Sequence, residues 1–434
     1  MNLDRDELPG LVMHQFAAEL FPICRSLTGG GVREMLAAIR ERLPGLVIHE
    51  VPSGTQAFDW TVPDEWNIRS ARLTGPIGET VVDFKDSNLH VVGYSEPVDV
   101  ELDLDGLQAH LHSLPEQPEA IPYITSYYKR NWGFCLPHRV REDLKPGKYR
   151  AVIDSTLAPG SLNYADLVLA GETTEEVLLS TYICHPSMAN NELSGPVVTA
   201  ALASWLMSLP ARRYTYRIVF IPETIGSIVY LSRNLDVMKG RTVAGFNVSC
   251  VGDDRAYSFV RSRLGDTLAD RVAACVFKHH SPETRHFEYS FLDRGSDERQ
   301  YCAPGVDLPV VGVSRSKYGC YPEYHTSLDD LTLVTPTGLA GAFDVLRKCI
   351  EAIECNRRYR VNCLGEPQLG KRGLYPTVST KTSGRSVQLM MDMIAYCDGK
   401  HDLVAIAERI DAPLEKLASI AKTLFDANLV GIVD

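Results

Sequence analysis

VLLSTYICHPSMANNELSGPVVTAALASWLMSL, residues 177–209, reads as a buried strand, a polar loop and a helix in immediate succession. Val177–Ile183 is an apolar and β-branched run too short for an ordinary helix, and it is closed by His185-Pro186. The polar loop runs to Glu192, and from about Pro196 the apolar residues recur at helical spacing. The pattern repeats downstream as RIVFIPE (217–223), VYLSRNL (229–235) and AGFNVSC (244–250). Apolar strands alternating with helices predict a largely parallel sheet covered by helices, and hence an α/β core.

Working outward, residues 1–50 carry two helical patterns separated by Ser-Leu-Thr-Gly-Gly-Gly at 26–31. From 51 to 149 the chain changes to short β-type runs such as ETVVDF and NLHVVGY, broken by Pro, Gly, Asp and Asn, with one helix expected near Leu104–Leu114. The expected division is therefore a discontinuous α/β domain (1–50 and 150–360), an inserted β-rich domain (51–149) and a C-terminal module (375–434). That module has three helical patterns, the second opened by Asp402 as N-cap, and a final strand VGIV, which together suggest a winged helix behind a linker from Leu364 to Pro376.

The chain has 434 residues, 45% hydrophobic and 23% charged, the balance of a multi-domain globular protein. A net charge of -11 argues against nucleic-acid binding by phosphate neutralisation, and residues 386–434 hold eight acidic against four basic side chains. A docking or lid role is expected for the winged helix. No secretion signal and no membrane span are expected, which points to the cytoplasm. The 11 cysteines form no CxxC pair and read as reduced, mostly buried thiols. The surface pattern leaves a homo-oligomer open.

Four stretches could carry chemistry. His185 and Glu192 follow one strand and Glu223 follows the next, where open α/β sheets bind ligands. The plainer readings are a decorated solvent loop for the first two and a helix N-cap for Glu223. His325 lies in YGCYPEYHTSLDDL between Tyr324 and Thr326, as a loop ligand would or as a solvent histidine would. The stretch FLDRGSDERQY brings Asp293, Arg294, Asp297, Glu298 and Arg299 together before the strand LPVVGV; it is a solvated loop or a binder of charged substrate ends.

Taken together, these stretches resemble the zinc aminopeptidases of the M28 type. More closely, the chain resembles the DUF4910-like bacterial group with an aminopeptidase-like (phosphorylase/hydrolase-type) mixed sheet, an inserted β domain and a C-terminal winged helix. The resemblance implies that His185, the ANNELSG loop, Glu223, GFNVSCVG and YHTSLDD occupy the metal-binding stretches. Asn191, Thr224 and Ser249 stand at three usual ligand positions, and neutral side chains cannot balance two divalent ions. One zinc is therefore expected, held by His185, Glu192 and His325, with Asp253 or Asp254 as replacements for Glu192. Glu223 occupies the general-base position. Asp297, Glu298, Arg299 and Tyr324 are the expected substrate-binding residues, and the substrate is expected to be a small amide or aminoacyl compound. The competing expectation is a binding or scaffold protein that kept the fold and lost peptidase chemistry.

Overall fold

The computed structural model describes residues 9–374 and 381–433. Its centre is an eight-stranded mixed sheet in the order Val47–Pro52, Ser161–Leu169, Thr215–Ile221, Glu176–Tyr182, Thr242–Val248, Val310–Ser314, Ala256–Val260, Arg285–Tyr289. The four middle strands are mutually parallel, so their C-terminal ends open on one edge. Glu176–Tyr182 and Thr215–Ile221 are buried along their whole length, as continuous apolar runs between two helical layers must be. Each fully buried Leu, Ile or Phe contributes about 1.5–3 kcal/mol.

One face is covered by Pro9–Leu20, Gly30–Arg42, Ser194–Ser208, Leu268–His279 and Pro336–Cys355, and the other by Ile225–Arg241 and Glu298–Tyr301. Gly195 permits the first turn of Ser194–Ser208 to lie on the sheet, since a Cβ there would come within 2.5 Å of the Val248 carbonyl oxygen. This fixes the distance between the polar loop and the strand ends.

The inserted segment has its own four-stranded antiparallel sheet, Thr80–Asp83, Glu65–Thr74, Lys148–Ala158, Val98–Asp103, around a separate core that includes Leu73, Phe134, Tyr149 and Ile153. The expected boundary at residue 150 falls inside Lys148–Ala158, which pairs wholly with this inserted sheet. The helix expected at Leu104–Leu114 is shorter: Leu104–Leu107 gives way to a turn, because Leu111–His112 pairs with Phe134–Cys135.

Arg33 joins the insertion to the core by donating to both Glu65 oxygens (3.0 and 2.6 Å), while Ser161 N–H donates to Glu65 Oε2 at 3.0 Å. These contacts, Arg33 first, lower the Glu65 pKa from 4.5 to about 2. A depressed carboxylate contributes stability above its unfolded pKa and loses it as pH falls through the folded one. Between about pH 4.5 and 2 the native chain should therefore lose stability more steeply than Glu65→Gln. Acid unfolding followed by circular dichroism checks this, and parallel curves would refute it.

The C-terminal module packs Lys381–Ala395, Leu403–Ile410 and Leu414–Asp426 against a three-stranded sheet, Asp398–Asp402, Arg358–Val361, Val430–Val433. Asp402 caps the second helix by accepting Ala405 N–H at 2.7 Å, as its sequence position predicts. Arg358–Val361 belongs to this sheet although it precedes the linker, and the expected start at residue 375 lies outside the described residues. The module rests on the core through continuous apolar packing and the pairs Arg271–Glu408 (2.7 Å) and Lys278–Asp411 (2.6 Å). No helix among the described residues is long and apolar enough to cross a membrane.

Candidate active site

Four elements converge at the C-terminal edge of the parallel strands. Glu176–Tyr182 delivers His185, and the loop after it closes into a single π-helical turn, Ala189–Leu193. Asp329 shapes that turn: its Oδ1 accepts the N–H groups of Ala189 (3.1 Å) and Asn190 (2.5 Å), and its Oδ2 accepts those of Asn191 (2.9 Å) and the Tyr321 hydroxyl (3.0 Å). Burial nevertheless pushes the Asp329 pKa up to about 6.

The turn rotates Glu192 behind His185. His185 Nδ1–H donates to Glu192 Oε2 at 2.8 Å; a carboxylate can only accept, so the proton sits on Nδ1 and Nε2 keeps its lone pair in the neutral ring. On the far side lies Arg25, buried, with Nε donating to the His185 carbonyl at 3.0 Å and standing 3.8 Å from Glu192 Oε1. Burial works against a charge on His185, but the hydrogen bond to Glu192 opposes it and holds the imidazole pKa above its ordinary value. Cys184, His185 and Glu192 form a buried group of metal-ligating side chains whose ligand atoms lie within 4.8 Å of one another. Burial pushes the Cys184 thiol up to about 11, so it stays protonated near neutrality.

The other nitrogen, His185 Nε2, faces Glu223 Oε2 at 3.7 Å. Glu223 follows Thr215–Ile221, its N–H donating to Cys184 Sγ at 3.1 Å, and burial raises its pKa against the opposing charges of His185 and Arg299. The next residue, Thr224, has φ +64°, a left-handed conformation that a β-branched residue adopts only under constraint. The constraint is visible: Asp297 Oδ1 accepts Thr224 N–H at 2.8 Å and the Ser227 hydroxyl at 2.7 Å, and Arg299 donates to the Thr224 hydroxyl at 2.6 Å. Burial, with the Glu223 charge beside it, raises Asp297 to about 7.

His325, also at positive φ (+57°), lies 5.5 Å from His185 between ring centroids and stacks on Tyr324 at 3.9 Å. Its Nε2 is buried without a hydrogen-bond partner. Burial, reinforced by the His185 charge, lowers its pKa to about 3, so it is a neutral imidazole. A strap from the inserted segment crosses here. Tyr123 N–H donates to the His325 carbonyl at 2.8 Å, Pro122 bridges Thr326, and the Tyr123 ring lies 5.2 and 5.1 Å from His185 and His325.

Thus His185, Glu192, Glu223, His325, Asp297, Arg299 and Tyr324 come together, and three expectations change. Glu192 sits behind His185, on the nitrogen opposite Glu223. Glu298 does not face the cluster: its Oε1 accepts Gly295 N–H, Ser296 N–H and the Tyr318 hydroxyl, and its Oε2 accepts Asn247 Nδ2–H. Asp253 is fully used by Asn190, Arg255 and Ser316, and Asp254 accepts from the Thr335 hydroxyl, so neither stands in for Glu192. Arg25 and Tyr123 were not foreseen as parts of the site, and Asp329 lies in the YHTSLDD stretch without a role of its own having been expected. Only Asp329 had a local signal, its place four residues after His325.

A polar cluster at the ends of parallel strands in this mixed sheet is the arrangement of aminopeptidase-like α/β proteins. Residues 14–356 match the family described as a domain of unknown function, DUF4910, and the chain belongs to that family. Residues 357–431 match a winged helix-turn-helix family. A Clostridium acetobutylicum protein named for polysaccharide biosynthesis and an aminopeptidase-like domain is 43% identical over 423 residues, 97% of this chain and 96% of the relative. A crystal structure of a Clostridium acetobutylicum protein, solved as a candidate peptidase, superposes with TM-score 0.91 at 42% identity, covering 98% of this chain and 96% of that one. A zinc aminopeptidase from Bacillus subtilis shares the fold, with TM-score 0.58 at 11% identity over 80% of this chain and 94% of its own.

Proposed function

We propose that this protein is a single-zinc, aminopeptidase-like amide hydrolase or acyl-transfer enzyme acting on a small aminoacyl compound. The observation that carries the reading is the pair of imidazole nitrogens left open on one side of the cluster: His185 Nε2, whose proton is fixed on the opposite nitrogen, and His325 Nε2, buried without a partner. With the second proton of His185 released as the cation binds, two imidazoles beside the Glu223 carboxylate fit a single borderline-soft cation. Glu192 orients His185 from behind, as carboxylates do for zinc-bound histidines. Bound there, zinc would supply Lewis acidity toward a substrate carbonyl and a lowered pKa for water.

The chain's own groups do the rest. Glu223 takes a proton from the attacking water as the carbonyl C–O bond forms, and returns it to the leaving amine as the C–N bond breaks. Asp297 Oδ2, which has no partner, accepts the substrate ammonium, while Arg299 holds a carboxylate or balances Glu223. The Tyr123 strap narrows the approach to the histidines and favours a short substrate over an extended peptide. The relative named for polysaccharide biosynthesis supports a substrate from polysaccharide or specialised-metabolite biosynthesis. The winged helix then serves as a docking module.

A second reading, a binding protein without peptidase chemistry, draws support from Asn191 and Thr224. Asn191 Oδ1 accepts from the Tyr182 hydroxyl at 3.3 Å, and the Thr224 hydroxyl is held by Arg299. Metal analysis separates the two. Protein purified without chelator should carry about one zinc per chain, lost in His185→Ala and in His325→Ala. Absence of metal, or metal indifferent to both histidines, leaves the binding protein as the better account.

A further inference from the structure

Away from the active site, a cavity of about 230 Å³ lies where the core meets the winged helix, lined by Arg213 and Tyr214 from the core and by Asn356, Arg357, Arg358 and Asp402 from the C-terminal side. Three arginines line this small space in a chain whose net charge is -11. None of the three has a carboxylate partner within 4 Å among the described residues, unlike Arg217 and Arg271 nearby.

The nearby acids are engaged by other groups. Glu354 accepts the N–H groups of Arg213 and Tyr214 and the Tyr216 hydroxyl. Asp402 accepts Ala405 N–H and Asn356 Nδ2–H, with Arg271 at 3.6 Å on its other side. Arg213 Nη1 donates to the Asn356 carbonyl at 2.8 Å, which fixes the guanidinium, while its Nε is buried without a partner. Arginines gathered at one pocket without a directly paired carboxylate, one of them anchored, repel one another, and an anion relieves the repulsion.

We infer that this pocket is a binding site for a phosphoryl dianion, free or carried by a small molecule. Three arginines against Asp402 leave two positive charges in the lining, which a phosphate dianion balances and a single carboxylate does not. The planar guanidinium fork is also matched to paired phosphate oxygens. A concave pocket of this volume suits one small ligand, and the acidic chain disfavours a nucleic-acid backbone. The site joins two regions: Arg213 leads into Thr215–Ile221, the strand that Glu223 follows, and Arg358 opens a strand of the winged-helix sheet. Its occupancy therefore ties the winged helix to the strand that carries the active-site carboxylate.

The test is calorimetric titration of the full chain with inorganic phosphate and with glycerol phosphate, at constant ionic strength set by chloride. Saturable binding of either probe is expected, weakened about tenfold or more in Arg213→Gln and in Arg358→Gln, the loss of one charge-assisted contact. Arg358 is exposed, so its replacement leaves the fold intact and keeps the test valid if Arg213→Gln unfolds. Binding of glycerol phosphate assigns the group to a small-molecule carrier, and binding of inorganic phosphate alone assigns it to the free ion; both support the site. Heats equal to chloride dilution for both probes, or binding unchanged in both variants, would overturn it. So would tight binding of a DNA duplex without binding of either small phosphate.

Discussion

Replacing Glu223 by Gln should lower turnover of a small aminoacyl amide by about 10²–10⁴-fold, the usual contribution of a positioned general base, while zinc stays at the native content. The substitution keeps the size of the side chain and removes only its ability to accept a proton. His185 Nε2 lies 3.7 Å from Glu223 Oε2, and neither the Nδ1–Glu192 hydrogen bond nor the Tyr324–His325 stack depends on the Glu223 charge. The metal-binding imidazoles should therefore survive. Steady-state rates, with zinc measured on the same preparation, separate the roles: a rate fall with zinc retained assigns Glu223 as the base. Zinc lost together with activity would instead make Glu223 the third ligand, and an unchanged rate would remove it from the chemistry. Burial raises the Glu223 pKa while His185 and Arg299 oppose the rise, and the net increase makes the carboxylate a stronger base than an exposed one.

The sequence made some of this geometry legible and hid the rest for physical reasons. His185 and Glu223 could be read because each follows directly on a buried strand, and parallel strands deliver their C-terminal residues to one edge. Tyr324 could be read as a partner of His325 because it is a chain neighbour. Glu192 was visible as a residue but not as a direction: a π-helical turn instead of an α-helical one swings its side chain onto Nδ1, and that turn is imposed by Asp329, remote in sequence. Glu298 sits in a charged run that reads like a substrate grip, yet Tyr318 and Asn247, both distant in the chain, capture its oxygens. Arg25 and Tyr123 reach the site from a helix-terminating loop and from the insertion, and no local pattern announces such contacts. The winged-helix sheet was partly missed for the same reason, since Arg358–Val361 finds its partners only across the linker.

The other large effect concerns a residue that touches neither metal nor substrate in this account. Asp329→Ala leaves the N–H groups of Asn190 and Asn191 and the Tyr321 hydroxyl without their carboxylate acceptor in a buried setting, while Ala189 N–H keeps the Asp329 carbonyl oxygen at 2.9 Å. Each buried donor left unsatisfied costs about 1–3 kcal/mol. Part of that sum is offset, because burial has raised the Asp329 pKa to about 6 and removing the carboxylate relieves its desolvation. A net loss on the order of 3 kcal/mol is expected, read as a lower urea midpoint at unchanged slope. Asp329→Asn should not restore the native state: its amide supplies one acceptor oxygen and turns an NH₂ group toward donors that need an acceptor. With the turn released, Glu192 no longer holds His185 Nδ1, so both variants should also lose zinc affinity, although Asp329 is not a ligand. An unfolding free energy within about 0.5 kcal/mol of native, the range of neutral surface changes, would show that the turn stands without Asp329. Loss of stability with full zinc retention would show that the orientation of His185 does not depend on the turn.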